Sequence, residues 1–482
     1  MAPRKWPDVV FADEADRSTL AKAAREGRMT RLGPGIYTPC HDIEATVSRN
    51  WAQIAAHEFP GAILVDRSAR SGSPGHDGLL TVGHRRRRPL VLPGLKIVPR
   101  AGGVLPGDTQ IMLGLWLSSQ GRAMIDNAAG SGGRYLSQAE LEAWIVDLAA
   151  RGETTLNHVR DQARDVAETT GRLAVFARVN HLIAAALATG PAEPSATPAL
   201  RARAAGQPHD RERVARFEAL AAVLRDVAPH PLPALSVDAP RRALLPFYEA
   251  YFSNYIEGTE FTLDEAAGIV FKHEVPAARP QDAHDILGTY RIVSDETEMR
   301  RVPRDADELI GLLRARHRTL MDGRPETLPG RFKEHANRVG GTLFVAPDLV
   351  ESTLRAGFAS GTDLIDPLAR ATFLMFLVSE VHPFADGNGR IARILMNAEL
   401  VHAAEIRVVI PTVYRDDYLS ALRGATHNGS FEALVASLSF AQRYTARIDC
   451  SSRASAEADL ARTNALRDPS EADQYGIRLQ LP

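Results

Sequence analysis

Two stretches near the C-terminal third restrict the folds open to this chain. Residues 368–378 are apolar on nearly every helical face, and residues 391–402 are similar. A helix that is apolar all round must be enclosed by other elements, so this pair predicts the centre of a helical domain. Between them lies His382-Pro-Phe-Ala-Asp-Gly-Asn-Gly-Arg-Ile-Ala-Arg393, a polar loop held against that centre. Pro383 disfavours helix at His382 and ends the first helix. Gly387 and Gly389 permit tight backbone geometry and close approach of a ligand. The second helix opens there, so its free N–H groups point into the loop as an anion nest. Arg390 and Arg393 are three residues apart, which places them on one side of the helix. Asp386 supplies a carboxylate suited to Mg²⁺ bridging phosphates. His382 is the general-base candidate. Each piece alone is ordinary: a His before Pro is usually a loop residue, and Gly-Asn-Gly is usually a turn. Within twelve residues flanked by buried helices, they describe a phosphoryl- or nucleotidyl-transfer site.

The segment resembles the motif of the Fic (Fido) family, HPFx(D/E)GNGRxxR, and the resemblance extends over roughly residues 240–445. It implies a mainly α, helical Fic (Fido) domain with a short β-hairpin flap. It also implies an AMP transferase, moving AMP from ATP to a Ser, Thr or Tyr hydroxyl of a target protein. On that likeness His382 deprotonates the acceptor and Asp386 holds Mg²⁺ or Mn²⁺. The amides of Gly387, Asn388 and Gly389 receive the phosphates. Arg390 contacts phosphate and Arg393 the γ-phosphate, with Ile391 and Ala392 in the same ATP-binding stretch. Asn397, one turn on, either supports the site from behind or approaches the nucleotide. Residues 340–347 read as a hairpin leading to a proline turn and resemble the family's flap, with Gly341, Thr342, Leu343 and Phe344 as its nucleotide-side edge. Tyr418 and Asn428 resemble positions that approach the adenosine.

Upstream, Ser253-Asn-Tyr-Ile-Glu257-Gly258 is similar to the family's inhibitory motif, (S/T)xxxE(G/N). A carboxylate there would pair with Arg393 in a bidentate bridge. That pairing occupies the arginine that the γ-phosphate needs. The likeness therefore implies a restrained enzyme, in which the same Glu257 also allows removal of AMP as a reverse reaction. Rival readings keep the fold and change the donor to UMP, phosphocholine or phosphate. Another makes the chain a DNA-binding regulator or antitoxin whose Fic half is a sensor.

The 482 residues predict two to four domains. Residues 1–48 read as a winged helix-turn-helix-like domain, 49–188 as a mixed α/β domain and 189–209 as a proline-rich linker. Residues 210–450 read as the Fic domain, with its inhibitory helix near 239–257, and 451–482 as a loosely ordered polar tail. Arg28-Met-Thr-Arg-Leu-Gly-Pro-Gly-Ile-Tyr37 reads as strand, turn and strand after a helix that stops near Gly27. Ser137 and Glu140 form a capping box before a helix to about Ala150, and a further helix runs to about Leu187. Residues 8–187 resemble AbiE-type antitoxins, which implies DNA as a partner, with phosphate contacts from Arg25, Arg28 and Arg31. The run Arg85-Arg-Arg-Arg88 reads either as a nucleic-acid contact or as a solvated turn.

A net charge of −2 excludes the whole chain as an electrostatic nucleic-acid binder, though not a local basic patch. Cys40 and Cys450 are too few for a disulfide framework or a thiolate zinc site. No secretory signal and no membrane-spanning run is present, so the expected setting is cytoplasmic, with no membrane partner. A homodimer is left open.

Overall fold

The computed structural model describes residues 6–13, 17–112, 114–234 and 239–482, with backbone only at 17 and 239–243. Residues 1–5 and 14–16 of the expected winged domain lie outside the described residues. The chain divides into two compact units, Met1–Gln207 and Pro208–Pro482.

The first unit opens with β1 (Val10–Phe11), α1 (Arg17–Arg25), β2 (Thr30–Gly33) and β3 (Ile36–Thr38), whose strands form an antiparallel sheet in the order β1-β3-β2. The Gly33-Pro34-Gly35 turn works because Gly35 takes a positive φ of 78°. Next come α2 (Ile43–Arg49), α3 (Trp51–Glu58), β4 (Ala62–Leu64), α4 (Asp66–Ser71), β5 (Leu79–Gly83), β6 (Leu90–Leu92), β7 (Leu95–Arg100), β8 (Thr109–Met112) and β9 (Leu115–Leu117). These strands make a mixed six-stranded sheet in the order β6-β7-β5-β4-β9-β8. The parallel pairs are β5 with β7 and β4 with β9.

Helices α5 (Gln120–Ala129), α6 (Gln138–Ala150), α7 (Glu153–Thr170), α8 (Leu173–Ala186) and α9 (Pro198–Ala204) complete the unit. The Ser137–Glu140 capping box starts α6 as expected. The single helix expected up to Leu187 is two, because Gly171 turns left-handed at φ 68° and closes α7. The expected linker 189–209 contains the boundary between the two units, and it also carries α9. Thr197 caps α9, whose Ala199 and Leu200 are buried among the residues of α6 and α8. Its prolines break helix periodicity in the sequence, while the short apolar pair that anchors it is easily overlooked.

The second unit is helical around a central pair. Its elements are α10 (Arg211–Arg225), α11 (Ala239–Ile256), α12 (Leu263–Lys272), α13 (Pro280–Val293), α14 (Glu296–Met299), α15 (Ala306–Leu320), β10 (Arg338–Val339) and β11 (Thr342–Leu343). They continue with α16 (Val350–Ala359), α17 (Pro367–Val381), α18 (Asn388–His402), α19 (Arg415–Asn428), α20 (Phe431–Thr445), α21 (Arg453–Arg462) and α22 (Pro469–Tyr475). Helix α17 starts where Asp366 accepts from the Ala369 N–H and Pro367 takes the first turn. Its Phe373, Phe376 and Leu377 are buried against Ile391, Ile394 and Leu395 of α18. Phe217 of α10 meets Phe373 and Phe376 edge-on, at 6.5 and 6.2 Å between centroids. Each such fully buried aromatic contributes roughly 1.5–3 kcal/mol, so the central pair is the rigid floor of the domain. Gly357 lets α16 approach: a Cβ there would lie 2.5 Å from Leu377 and 2.6 Å from Phe217.

The expected loose tail is instead ordered. Ala456, Leu460 and Ala465 are buried, and the Tyr444 hydroxyl lies 2.8 Å from Thr463 Oγ1. Its overall polarity conceals one narrow apolar stripe. Among the described residues no helix is long and apolar enough to cross a membrane.

Candidate active site

His382 ends α17 in the left-handed region at φ 52°, its N–H donating to Val378 C=O at 2.9 Å. Pro383 follows and prevents further helix. The imidazole Nδ1 lies 3.2 Å from the Ser379 carbonyl, so it carries the proton and leaves Nε2 with its lone pair. Burial, reinforced by the nearby Lys333 charge, pushes the His382 pKa down to about 4. The ring is stacked on Phe344 at 3.8 Å and 8°.

The loop beyond His382 is held by side chains. Asn388 clamps Phe384 from both sides: its Oδ1 accepts the Phe384 N–H at 2.8 Å and its Nδ2 donates to the Phe384 C=O at 2.9 Å. Asn337 Nδ2 donates to the same carbonyl at 2.9 Å. The Phe384 ring stacks on His317 of α15 at 3.7 Å. His317 Nδ1 accepts from the Gly330 N–H at 2.9 Å, so Nε2 donates to the Asp386 C=O at 3.0 Å. Burial pushes the His317 pKa down to about 4, in keeping with that neutral tautomer. Sequence reasoning missed His317, Asn337 and the clamping role of Asn388. A lone His and a lone Asn carry no periodic signal. The sequence assigned Asn388 only an amide.

Gly387 adopts φ 76° as the N-cap of α18, so the Gly-Asn-Gly-Arg stretch opens the helix itself. The first intrahelical bond runs from the Ile391 N–H to the Gly387 C=O at 3.0 Å. The N–H groups of Asn388, Gly389 and Arg390 therefore have no partner further back in the helix. The expected nest shifts by one residue, because the Gly387 N–H already donates to Asp386 Oδ1 at 2.6 Å. The Asp386 side chain is 53% exposed, and its other oxygen is 3.6 Å from Arg390. One open carboxylate beside a nest fits Mg²⁺ held jointly with phosphate oxygens and water. No cluster of three or more His, Cys, Asp or Glu groups able to hold a metal occurs among the described residues.

The two arginines differ in what already holds them. Arg390 is buried, paired with Asp285 at 2.8 Å, with Asn254 Oδ1 at 3.4 Å. Arg393 meets the end of α11. Its Nε donates to Ser253 Oγ at 3.0 Å, and one terminal nitrogen donates to the Ser253 C=O at 2.9 Å and to Glu257 Oε1 at 2.6 Å. The expected bidentate bridge is thus a contact with one Glu257 oxygen, through a terminal nitrogen that Glu257 shares with the Ser253 carbonyl. Glu257 lies over the nest: a Cβ on Gly389 would sit 2.2 Å from its Oε1. Gly258 ends this segment at φ 88°, a conformation that favours glycine. Asn254, which joins Arg390 to Thr289 of α13 (2.9 Å from its Nδ2), was not anticipated.

Several expected contacts fall elsewhere. Ile391 and Ala392 are fully buried in the core, so their side chains do not face a nucleotide. Tyr418 is 1% exposed, with its hydroxyl 3.5 Å from Met375 Sδ. Its hydroxyl also neighbours the Arg393 guanidinium, and burial raises its pKa. Asn397 bonds both polar groups of Val408, at 2.9 and 2.8 Å, which makes it a support from behind. Asn428 is exposed at the end of α19, before Gly429. In the flap, Gly340 and Gly341 are the turn between β10 and β11, with Val339 opposite Thr342 and Arg338 opposite Leu343. Thr342 Oγ1 lies 3.0 Å from His427 Nε2.

Residues 310–400 match the Fic/DOC family. They form a Fic domain. It runs from Ile310 in α15 to Leu400 in α18, so it includes His317, the flap, His382 and the nest, while Glu257 and Tyr418 lie outside the matched segment. The chain is 29% identical over 189 residues to "Protein adenylyltransferase Fic" of Nematostella vectensis, covering 38% of this chain and 43% of the relative. It is 27% identical over 188 residues to "Protein adenylyltransferase fic-1" of Caenorhabditis elegans, covering 37% of this chain and 36% of the relative. The chain thus spans less than half the length of the curated relatives it matches. A solved fragment of Fic-1 from C. elegans aligns at 20% identity with a TM-score of 0.37, over 63% of this chain and 94% of the fragment.

Proposed function

We propose that this protein transfers AMP from ATP to a hydroxyl group of a protein, and that Glu257 restrains the reaction. The observation that carries the reading is the convergence on one helix end of a neutral imidazole, three free backbone N–H groups and Arg393. His382 Nε2 takes the proton of the acceptor hydroxyl. The acceptor oxygen bonds to the α-phosphorus as the bond from that phosphorus to the bridging oxygen breaks, and pyrophosphate leaves. The N–H groups of Asn388, Gly389 and Arg390 face the charge that develops. Asp386 would hold Mg²⁺, which neutralises phosphate charge when bound. The names of the relatives, "protein adenylyltransferase", support AMP over UMP, phosphocholine or phosphate as the transferred group.

Arg393 is the one motif arginine facing the nest, and Glu257 and Ser253 hold it. A γ-phosphate must displace Glu257 to reach that guanidinium. A triphosphate seated without it has its α-phosphate misplaced, and about 1 Å of misplacement costs roughly a hundredfold in rate. Replacing Glu257 with Gly while following label from α-labelled ATP into protein tests this reading. It fails if His382→Ala labels as well as the parent.

An accessory role in DNA binding is proposed for the first unit. Arg25, Arg28 and Arg31 around the hairpin are exposed, as are Arg85 to Arg88 before β6. A gel shift with the full chain that weakens steeply with salt supports this role; no shift at low salt removes it.

A further inference from the structure

Leu343 and Phe344 of the flap carry contacts that the loop chemistry does not explain. Val339 lies opposite Thr342 across the Gly340-Gly341 turn, and the Phe344 N–H donates to the Asn337 C=O at 3.2 Å. Alternation in an antiparallel ladder then turns the Leu343 carbonyl away from β10, to the outer edge of the hairpin. Such an edge carbonyl is normally left to water or to an added strand. Here a terminal nitrogen of Arg213 donates to it at 2.6 Å.

Arg213 sits in the first turn of α10, its N–H donating to the N-cap Asp210 at 3.0 Å. Its guanidinium is ion-paired with Glu380, whose side chain is 2% exposed. Glu380 also accepts from Arg216 at 2.5 Å and from Thr426 Oγ1 at 2.8 Å. It precedes His382 by two residues. The flap is therefore tied to the catalytic helix twice over: Leu343 through Arg213 to Glu380, and Phe344 by its ring to His382. A buried carboxylate with two arginines adds little stability over an apolar cluster of the same volume. What it adds is direction, because the planar guanidinium fork, once fixed by Glu380, presents its remaining N–H at one spot. The segment before α10 is fastened nearby as well. Ser352 Oγ donates to the Pro208 C=O, and the Asp210 N–H donates to Thr353 Oγ1 at 2.9 Å, both on the helix after the flap.

We infer that Arg213, oriented by Glu380, is a positioning residue that holds β11 over His382 and so fixes where an acceptor segment can lie. The first half of this statement concerns the flap alone; the second rests on the transferase reading above. The test uses the full chain in the Glu257→Gly background, with Arg213→Met, Arg213→Lys and Glu380→Gln added singly. Three quantities are measured: hydrogen exchange of the peptide spanning 337–346, ATP affinity, and the ratio of AMP transferred to protein over AMP released to water.

In Arg213→Met we expect flap exchange to rise by about tenfold or more, ATP affinity to hold, and the protein-to-water ratio to fall by about tenfold to a hundredfold. Arg213→Lys, which keeps the charge and loses the fork, recovers part of both effects. A merely structural role would lower both AMP products together and leave their ratio unchanged. Unaltered flap exchange in Arg213→Met overturns the inference, as does a loosened flap with an unchanged ratio. Should Arg213→Met fail to fold, Glu380→Gln, which keeps the shape of the anchor, is held to the same two criteria. If the Glu257→Gly parent moves AMP to neither acceptor, the transferase reading is the part that fails, and flap exchange alone decides whether Arg213 holds β11.

Discussion

On the proposed restraint, replacing Glu257 with Gly should remove two obstacles whose size follows from the structure. The first is the Glu257–Arg393 contact, 2.6 Å long, with the Glu side chain 33% exposed and the Arg side chain 6% exposed. A charge-assisted hydrogen bond is worth about 1.5–3 kcal/mol, and solvent screening at the exposed carboxylate reduces this to about 1–2 kcal/mol. The second obstacle is the carboxylate charge over the nest. Like unit charges about 5 Å apart at an effective dielectric of about 20 repel by about 3 kcal/mol, and screening brings that to about 1–2 kcal/mol. Together they give about 2–4 kcal/mol, or a gain of about thirtyfold to several hundredfold in initial rate of label transfer. Glu257→Gln falls between, because it removes the charge and keeps the side chain over Gly389. The gain must also depend on Arg393: in an Arg393→Ala chain, Glu257→Gly regains only the part due to repulsion. Equal rates for the parent and Glu257→Gly refute the reasoning, and so does a full-sized gain without Arg393.

Replacing His382 with Ala lowers transfer by about a hundredfold to ten-thousandfold, with ATP binding retained by calorimetry. Because burial holds the His382 pKa down to about 4, the imidazole is already a base well below neutrality. In Glu257→Gly, kcat/KM should stay level from about pH 7.5 to about pH 5.5 and not bend near the ordinary histidine value of about 6.5. His317 predicts a stability effect: its folded pKa of about 4 lies below the unfolded value, so the unfolded chain binds the extra proton. Stability is then intact above about pH 6.5 and declines as pH falls towards about 4. Melting at pH 7 and pH 5 measures this decline, and His317→Gln should make it shallower. Asp386→Ala and chelation of divalent cations should each weaken transfer, and chelation should add little in that variant.

Legibility from sequence followed the range of the forces involved. The end of α17 at Pro383, the opening of α18 near Gly387 and the Ser137–Glu140 cap are set by neighbouring residues, and all could be read directly. The contact between Glu257 and Arg393 is legible because the spacing of Glu257 from Ser253 is itself a local pattern. The one-residue shift of the nest was not legible, because it depends on the Asp386 carboxylate folding back on the Gly387 amide. Nor were His317, Asn337 and Arg213, each a single polar residue whose partner is distant in the chain. The burial of Tyr418 beside Arg393 is not legible for the same reason: sequence spacing puts it near the site but does not say which face it presents. The packing of the tail and of α9 is not legible in composition, where a few buried Ala and Leu residues are hidden among many exposed polar ones.

The chemistry of the Fic domain is tested most directly by giving the Glu257→Gly chain ATP labelled in turn at the α- and γ-phosphates, then analysing modified peptides by mass spectrometry. Retention of the α label, loss of the γ label and a mass gain of one AMP on a Ser, Thr or Tyr hydroxyl is the predicted result, absent in His382→Ala. Transfer of the γ label, or an identical outcome with His382→Ala, would contradict the account.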